Sequence, residues 1–402
     1  MPAATGARSM ADPVPWTLDR GGDYTEEVDW LTDVMQAPTG GTQHRRLRQS
    51  PRTFLAFSAL ESGARRRWME VLLRAHGAAS WWAPVSIDAA ALDTAAAAAD
   101  TVLAVTGAGA RRFVVGGHAL VLGPDARRHE LCEVAAVAAN AITLADGLTF
   151  DWPAGTEVVP VRRAHLAETP QVGRFTSDDT ALVPIRFRLD EPLDTDPVPP
   201  ATAYRGYPVF DGFPPVWTAD PLWVPERQIH HSDIEVGPVF VADLAGVAMG
   251  RTTMQHAATT AAEVAAFRGA LFALAGRWSP AWVPSWAHDL RVVANVSASA
   301  TTLDVAGPLL SGRPIEPNHR DLRIALADGT VLYRRISAVT AQSDSVDRIT
   351  LGAALPAFTA AQVQMVSFLT LSVQDSDTNL LRYVDRTAMQ CELTWRELDH
   401  EL

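Results

Sequence analysis

Cysteine is nearly missing from this chain of 402 residues: there are two, Cys132 and Cys391. A disulfide framework needs more than that, and the two sit in separate strand-like runs, so both read as small buried hydrophobes of a chain that folds in a cytoplasm. Lysine is missing altogether. The 34 basic residues are arginines, set against 46 acidic ones for a net charge of −12. An acidic chain is poorly matched to a phosphate backbone, which argues against nucleic-acid specificity. Charges interrupt every apolar run well before the roughly 18 residues that a membrane span requires. Residues 1–15 are rich in Ala, Pro and Gly and carry no apolar h-region, so the sequence predicts no signal peptide and a flexible N-terminus over 1–12.

The motifs of familiar chemistry are also wanting. The glycines of "TGAGARR" (106–112) and "VVGGHALVLG" (114–123) do not fit a phosphate loop and read as hairpin turns. There is no HExxH and no paired CxxC. The adjacent His230 and His231 would point to opposite faces of a strand. "DSDT" (375–378) and "TSDDT" (176–180) lack the twelve-residue calcium loop and read as turns. No GxSxG occurs, and neither thiol stands in a setting that would activate it. The sequence therefore predicts no enzyme, no cofactor and no metal site.

What is there is a repeat. "LTDV" (31–34) stands opposite "HSDI" (231–234), and "PRTFLAF" (51–57) opposite "GRTTMQH" (250–256). "RRWMEVLLRAHG" (66–77) aligns with "AFRGALFALAG" (266–276), each with apolar residues at helical spacing: Trp68, Val71, Leu72 and Ala75, then Phe267, Ala270, Leu271 and Leu274. Each helix runs to a glycine, Gly77 or Gly276, suited to a left-handed stop. Tryptophan–proline elements follow, "SWWAP" (80–84) and "SPAWVP" (279–284). Then "LAVTG" (103–107) meets "LDVAG" (303–307), "EVAAV" (133–137) meets "RISAV" (335–339), and "ITLADGL" (142–148) meets "ITLGAAL" (349–355). Both copies close on alternating strands, Val183, Ile185 and Phe187 against Cys391, Leu393 and Trp395. The order holds at offsets of 199 to 208, which chance similarity between Ala-rich segments would not preserve.

Many short strands with one helix per copy predict a mainly β, internally duplicated fold, a β-barrel or sandwich with a flanking helix. The expected division is repeat 1 over 13–189 (barrel plus helix 13–92, small β part 93–189), a Pro- and Asp-rich linker over 190–207, and repeat 2 over 208–402 (208–292 and 293–402). Trp81, Trp82, Trp282 and Trp286 fall in the repeated turn and are candidate packing or interface aromatics. Trp16, Trp30, Trp217 and Trp223 lie outside it, and exposed tryptophan can also bind sugars. In "QHRRLRQSPR" (43–52), Arg45, Arg46, Arg48 and Arg52 form a basic stripe that reads either as a solvated loop or as a subunit interface; the second copy lacks it.

The stretch "WLTDVMQAPTGGTQHRRLRQSPR" (30–52) resembles the opening of tail-tip proteins of long-tailed bacteriophages, as do the helix and Trp-Pro turn after it and the final "AMQCELTWREL" (388–398). Gln43 and His44 depart from the glutamate common in that family before the first arginine. The resemblance implies a virion protein assembled in the host cytoplasm, a distal-tail or baseplate-hub ring joining the tail tube protein to other tip proteins. A trimer, favoured over a hexamer, would present six modules and adapt a sixfold tube to a threefold tip. The alternative expectation is a carbohydrate- or receptor-binding module of the tail.

Overall fold

The computed structural model describes residues 12–13, 23–37, 40–76, 79–123, 128–174, 179–191, 193, 195–307, 310–312 and 315–399. The chain is mainly β, with two α-helices among the described residues. In the first half the strands are β1 (Tyr24–Asp29), β2 (Thr32–Gln36), β3 (Thr42–Arg46) and β4 (Arg52–Ser62), then helix α1 (Gly63–Ala75). There follow β5 (Trp81–Pro84), β6 (Val102–Ala104), β7 (His118–Leu122), β8 (His129–Ala138), β9 (Ala141–Leu144), β10 (Glu157–Leu166), β11 (Gly173–Arg174) and β12 (Thr180–Leu189).

The second half runs β13 (Leu222–Glu226), β14 (Ile229–Ser232), β15 (Phe240–Asp243), β16 (Met249–Ala258) and helix α2 (Ala261–Leu274). It continues with β17 (Ala281–Pro284), β18 (Ala300–Ala306), β19 (Asp321–Leu326), β20 (Val331–Ser343), β21 (Val346–Leu355), β22 (Val363–Gln374), β23 (Thr378–Tyr383) and β24 (Met389–Glu397). Four further two-residue strands (12–13, 90–91, 203–204 and 207–208) stand outside this scheme.

The antiparallel pairings of the first half are β1·β4, β4·β12, β10·β12, β5·β10, β7·β10, β7·β8, β8·β9, β6·β9, β11·β12 and the β2·β3 hairpin. Each has a counterpart twelve strands later, from β13·β16 and β16·β24 to the β14·β15 hairpin. Even an irregularity recurs: β8 bulges between Val134 and Ala136 against β9, and β20 between Ile336 and Ala338 against β21. A bulge adds a residue to one strand and bends it, so it fixes register as well as shape.

Alternation explains the long strands. β4 turns Thr53, Leu55, Phe57 and Ala59 inward, and β24 does the same with Cys391, Leu393 and Trp395. One continuous core joins the halves, from Tyr24, Phe57 and Phe187 to Phe210, Phe267 and Trp395. Two satellite cores sit apart from it, one around Leu103, Val121 and Trp152, the other around Leu303, Ile324 and Val366.

The small β units end near 158 and 366, and the segments beyond them return to the main sheet through β10, β12, β22 and β24. The 190–207 segment is no free tether. Leu193 is buried in the shared core, the Val198 N–H donates to the Gly269 carbonyl at 3.0 Å, and Tyr204 packs edge-on against Trp282.

The helices differ in setting. α2 buries Phe267, Ala270, Leu271 and Leu274 as its periodicity predicts; the Thr260 side chain caps its start, accepting from the Glu263 N–H, and Ala275 (φ 52°) and Gly276 (φ 66°) end it. α1 is rotated from its expected face. It buries Met69 and Arg66, the latter donating to the Asp179 carbonyl at 3.1 Å, and leaves Val71 54% exposed. Gly77, expected to stop this helix, and Trp16 lie outside the described residues, as does most of the 1–12 segment.

Candidate assembly interface

The two halves meet edge to edge. β1 pairs antiparallel with β23 from Tyr24↔Tyr383 to Asp29↔Thr378, so a first-half strand is sealed by a second-half strand. Beneath this joint the Glu26 carboxylate is fully buried. It accepts from Arg112 at 2.9 and 3.2 Å and from the Tyr383 hydroxyl at 3.0 Å, and pairs with Arg268 at 3.4 Å. Arg112 also donates to Asp88 at 2.5 Å, and Arg268 donates to the Tyr383 oxygen at 2.6 and 2.8 Å. Burial alone would raise the Glu26 pKa; the two guanidiniums outweigh it and hold the carboxyl at about 2. Burial likewise pushes the Tyr24 and Tyr383 hydroxyls well up, so both stay protonated. A buried charge is tolerable only when paired and hydrogen-bonded, and here both conditions are met by residues from β1, the first small β unit, α2 and β23.

Past the joint, the chain leaving β1 plugs into a socket on the second half. The Trp30 N–H donates to the Asp377 carbonyl at 2.9 Å, and its ring meets Phe272 edge-on at 5.4 Å. The Asp377 carboxylate accepts from the backbone N–H groups of Thr32 (2.6 Å) and Arg277 (3.0 Å). Gly276 makes this closeness possible, since a Cβ there would lie 2.6 Å from Asp377 Oδ1 and 3.2 Å from Trp30 Cβ. Arg46 lies between two indoles, its guanidinium 5.2 Å from Trp30 and 5.1 Å from Trp278.

The arginine stripe is thus split. Arg46 fastens the halves of a single chain, and Arg48 donates to the Asp29 carbonyl at 2.8 Å and its carboxylate at 3.3 Å. Arg45 and Arg52 are exposed. The tryptophans of the repeated turn pack inside. Trp81 is fully buried against His76, and Trp282 donates to the Tyr204 carbonyl at 2.7 Å. Trp82 is half-buried beside His118, and Trp286 is buried under Arg323. Both thiols are buried, which pushes each to about 12. Glu26, Arg112, Arg268, Tyr383 and Asp377 escaped the sequence reading.

The edges that match this joint are open elsewhere. Among the described residues, β13 pairs with β16 alone and β11 with β12 alone. Leu222 and Trp223 of β13 are more than half exposed, and the adjoining β14–β15 hairpin shows Ile229, Phe240 and Val241 to solvent. Behind β13 a hollow of about 440 Å³ is lined by Trp217, Trp223, Trp395, Phe368, His319 and Glu397. Its carboxylates are engaged: Glu397 accepts from the Gly250 N–H at 2.7 Å, and Asp289 accepts from the Phe368 N–H at 2.7 Å and from the Ser285 hydroxyl. Among the described residues no cluster of His, Cys, Asp and Glu is suited to a metal ion, and no helix is long and apolar enough to cross a membrane.

No protein-family model matches the chain, and no curated protein sequence matches it.

Proposed function

We propose that this chain is a non-enzymatic structural protein of a phage tail tip, built from two copies of one module. It assembles into a ring between the tail tube protein and the receptor-binding tip, three chains presenting six modules. The carrying observation is the β1·β23 joint: a strand edge and its acceptor meet within the chain, while the corresponding edge and acceptor stay exposed. A module that pairs head to tail with its neighbour closes a ring if the rotation closes, and otherwise runs on as a filament. The twelve-strand recurrence of pairings and of the bulge supports duplication, and the 30–52 stretch supports the tail-tip setting. Cryo-electron microscopy of the assembled protein tests the reading: three chains and six similar modules are expected. A chain that stays monomeric at all concentrations would overturn it.

A second reading, a carbohydrate- or receptor-binding module, is favoured by the hollow behind β13. Trp217 is 65% exposed at its rim, and the buried indole N–H of Trp395 has no partner among the described residues. Tryptophan faces stack on sugar rings and an unpaired donor suits a hydroxyl. Quenching of tryptophan fluorescence by host-surface glycans, lost in Trp223→Ala, is the expected result under this reading; no response to any glycan would remove it.

A further inference from the structure

The joint inside the chain is a template, and the strands that correspond to its two sides have, among the described residues, no second strand on their outer edges. Phe57 pairs with Ile185 and Met254 with Leu393, which sets the strand correspondence two residues away from the sequence alignment of 51–57 with 250–256; on it Glu226, opposite Met249, matches Asp29, opposite Arg52, and Arg174, opposite Ala181, matches Tyr383, opposite Met389. β13 therefore corresponds to β1, and the segment 169–174 corresponds to β23. We propose that β13 of one chain pairs antiparallel with residues 169–174 of a second copy, while the turn into β14 enters a socket beside α1 of that copy. This deepens the ring reading and rests on it.

Transferring the register gives Leu222↔Gly173, Trp223↔Val172, Val224↔Gln171, Pro225↔Pro170 and Glu226↔Thr169. Three observations fit. In the chain, the Thr378 hydroxyl donates to the Asp29 carboxylate at 3.1 Å across the last pair, and Thr169 and Glu226 supply the same hydroxyl and carboxylate at the transferred pair. The two prolines, which out of register would each spoil a separate pair of the ladder, fall opposite one another at the place of Val28↔Asn379, so their missing donors cost the ladder a single hydrogen-bonded pair. The socket is also already formed. Where Trp30 sits on Phe272 in the second half, the first half has a hollow of about 710 Å³ lined by Glu70, Leu73, Arg74, Glu168, Pro170 and Arg174.

Arg227 follows β13 as Trp30 follows β1, and it carries an ion pair with Asp243 at 2.6 Å. That pair meets a socket of mixed charge, Glu70 and Glu168 against Arg74 and Arg174. α1 shows the matching lack. Ala270 of α2, part of the core that the halves share, is 1% exposed, while Val71 at the corresponding turn of α1 is 54% exposed. An exposed strand edge beside exposed apolar side chains is a template for pairing with another chain.

Two cysteine pairs test the joint in the full-length protein, Val224→Cys with Gln171→Cys, and Trp223→Cys with Val172→Cys. Neighbouring pairs alternate between wide and narrow spacing, so one of the two has the separation a disulfide needs. Mild oxidation is expected to give covalent multimers from at least one double variant and from neither single variant. Val71→Glu, exposed on the isolated chain, is expected to weaken self-association on the order of tenfold or more with unchanged thermal unfolding of the monomer. Assembly that yields no cross-link and tolerates Val71→Glu overturns this joint and leaves the ring reading standing. A chain that never self-associates overturns both.

Discussion

Glu26→Gln is the sharpest probe of the joint between the halves. The substitution keeps the shape and one acceptor oxygen but removes the charge, leaving Arg112 with Asp88 and Arg268 with the Tyr383 hydroxyl. Removing one partner of a buried ion pair costs about 3–5 kcal/mol. The lowered pKa of Glu26 points in the same direction. Its folded pKa of about 2 lies below the ordinary 4.5, which corresponds to roughly 3 kcal/mol favouring the folded state when the carboxylate is charged. Because the folded value is the lower one, this stability is fully present above about pH 4.5 and is lost as pH falls toward 2. Urea unfolding of wild type and variant at neutral pH is expected to differ by about 3 kcal/mol, and the difference is expected to shrink to a small remainder near pH 2, where the folded wild-type carboxyl is about half protonated. A difference under about 1 kcal/mol at neutral pH, or one that persists unchanged to pH 2, would refute the assignment of Glu26 as the charge that locks the halves.

Three further outcomes are expected. Gly276→Ala puts a Cβ 2.6 Å from Asp377 Oδ1 at a φ of 66°; it should destabilise by more than about 1 kcal/mol, read as a lowered urea midpoint, whereas Gly312→Ala, with nothing near its Cβ, should be close to neutral. Trp282→Phe leaves the Tyr204 carbonyl without its 2.7 Å donor and should cost about 1–3 kcal/mol in chemical denaturation. His256 is held neutral by burial, which outweighs its contacts with the Phe213 and Pro214 carbonyls and lowers it to about 4. Its folded pKa is below the ordinary 6.5, so its contribution is present above about pH 6.5 and declines toward pH 4. His256→Gln should flatten the thermal-stability profile in that window and leave the more acidic Glu26 step in place.

Period-two alternation made β4, β12 and β24 readable, because each strand has one face on the shared core. The face of α2 was readable for the same reason. α1 was misread because periodicity reports which side chains are apolar, and an apolar side chain can also await a neighbour: Val71 belongs to the periodic stripe yet points to solvent. The 190–207 segment has the composition of a tether, but Leu193 and Tyr204 supply enough apolar contact to dock it. The joint itself had no local signature. Glu26 meets Arg112 across 86 positions and Tyr383 across 357, and only the folded topology brings such groups together.

The two halves differ at positions facing this joint. β1 places Glu26 where β13 places Trp223, and the turn after each strand offers Trp30 in one case and Arg227 in the other. Behind them, α2 supplies Arg268 and the small Ala270 where α1 has Met69 and the larger Val71. Within one chain a permanent contact can be held by buried charge, because both partners fold together and the desolvated carboxylate never waits unpaired. A contact made later, between finished chains, has to leave each side stable alone. Exposed apolar strands and half-solvated ion pairs such as Arg227–Asp243 meet that requirement, at the cost of an edge open to unintended pairing. The short β13 strand and its Pro225 limit that exposure, since proline removes a donor from the open edge. The contrast between a charge-locked joint inside the chain and an apolar, proline-blunted edge outside it is what a two-step assembly, folding first and ring closure second, would require.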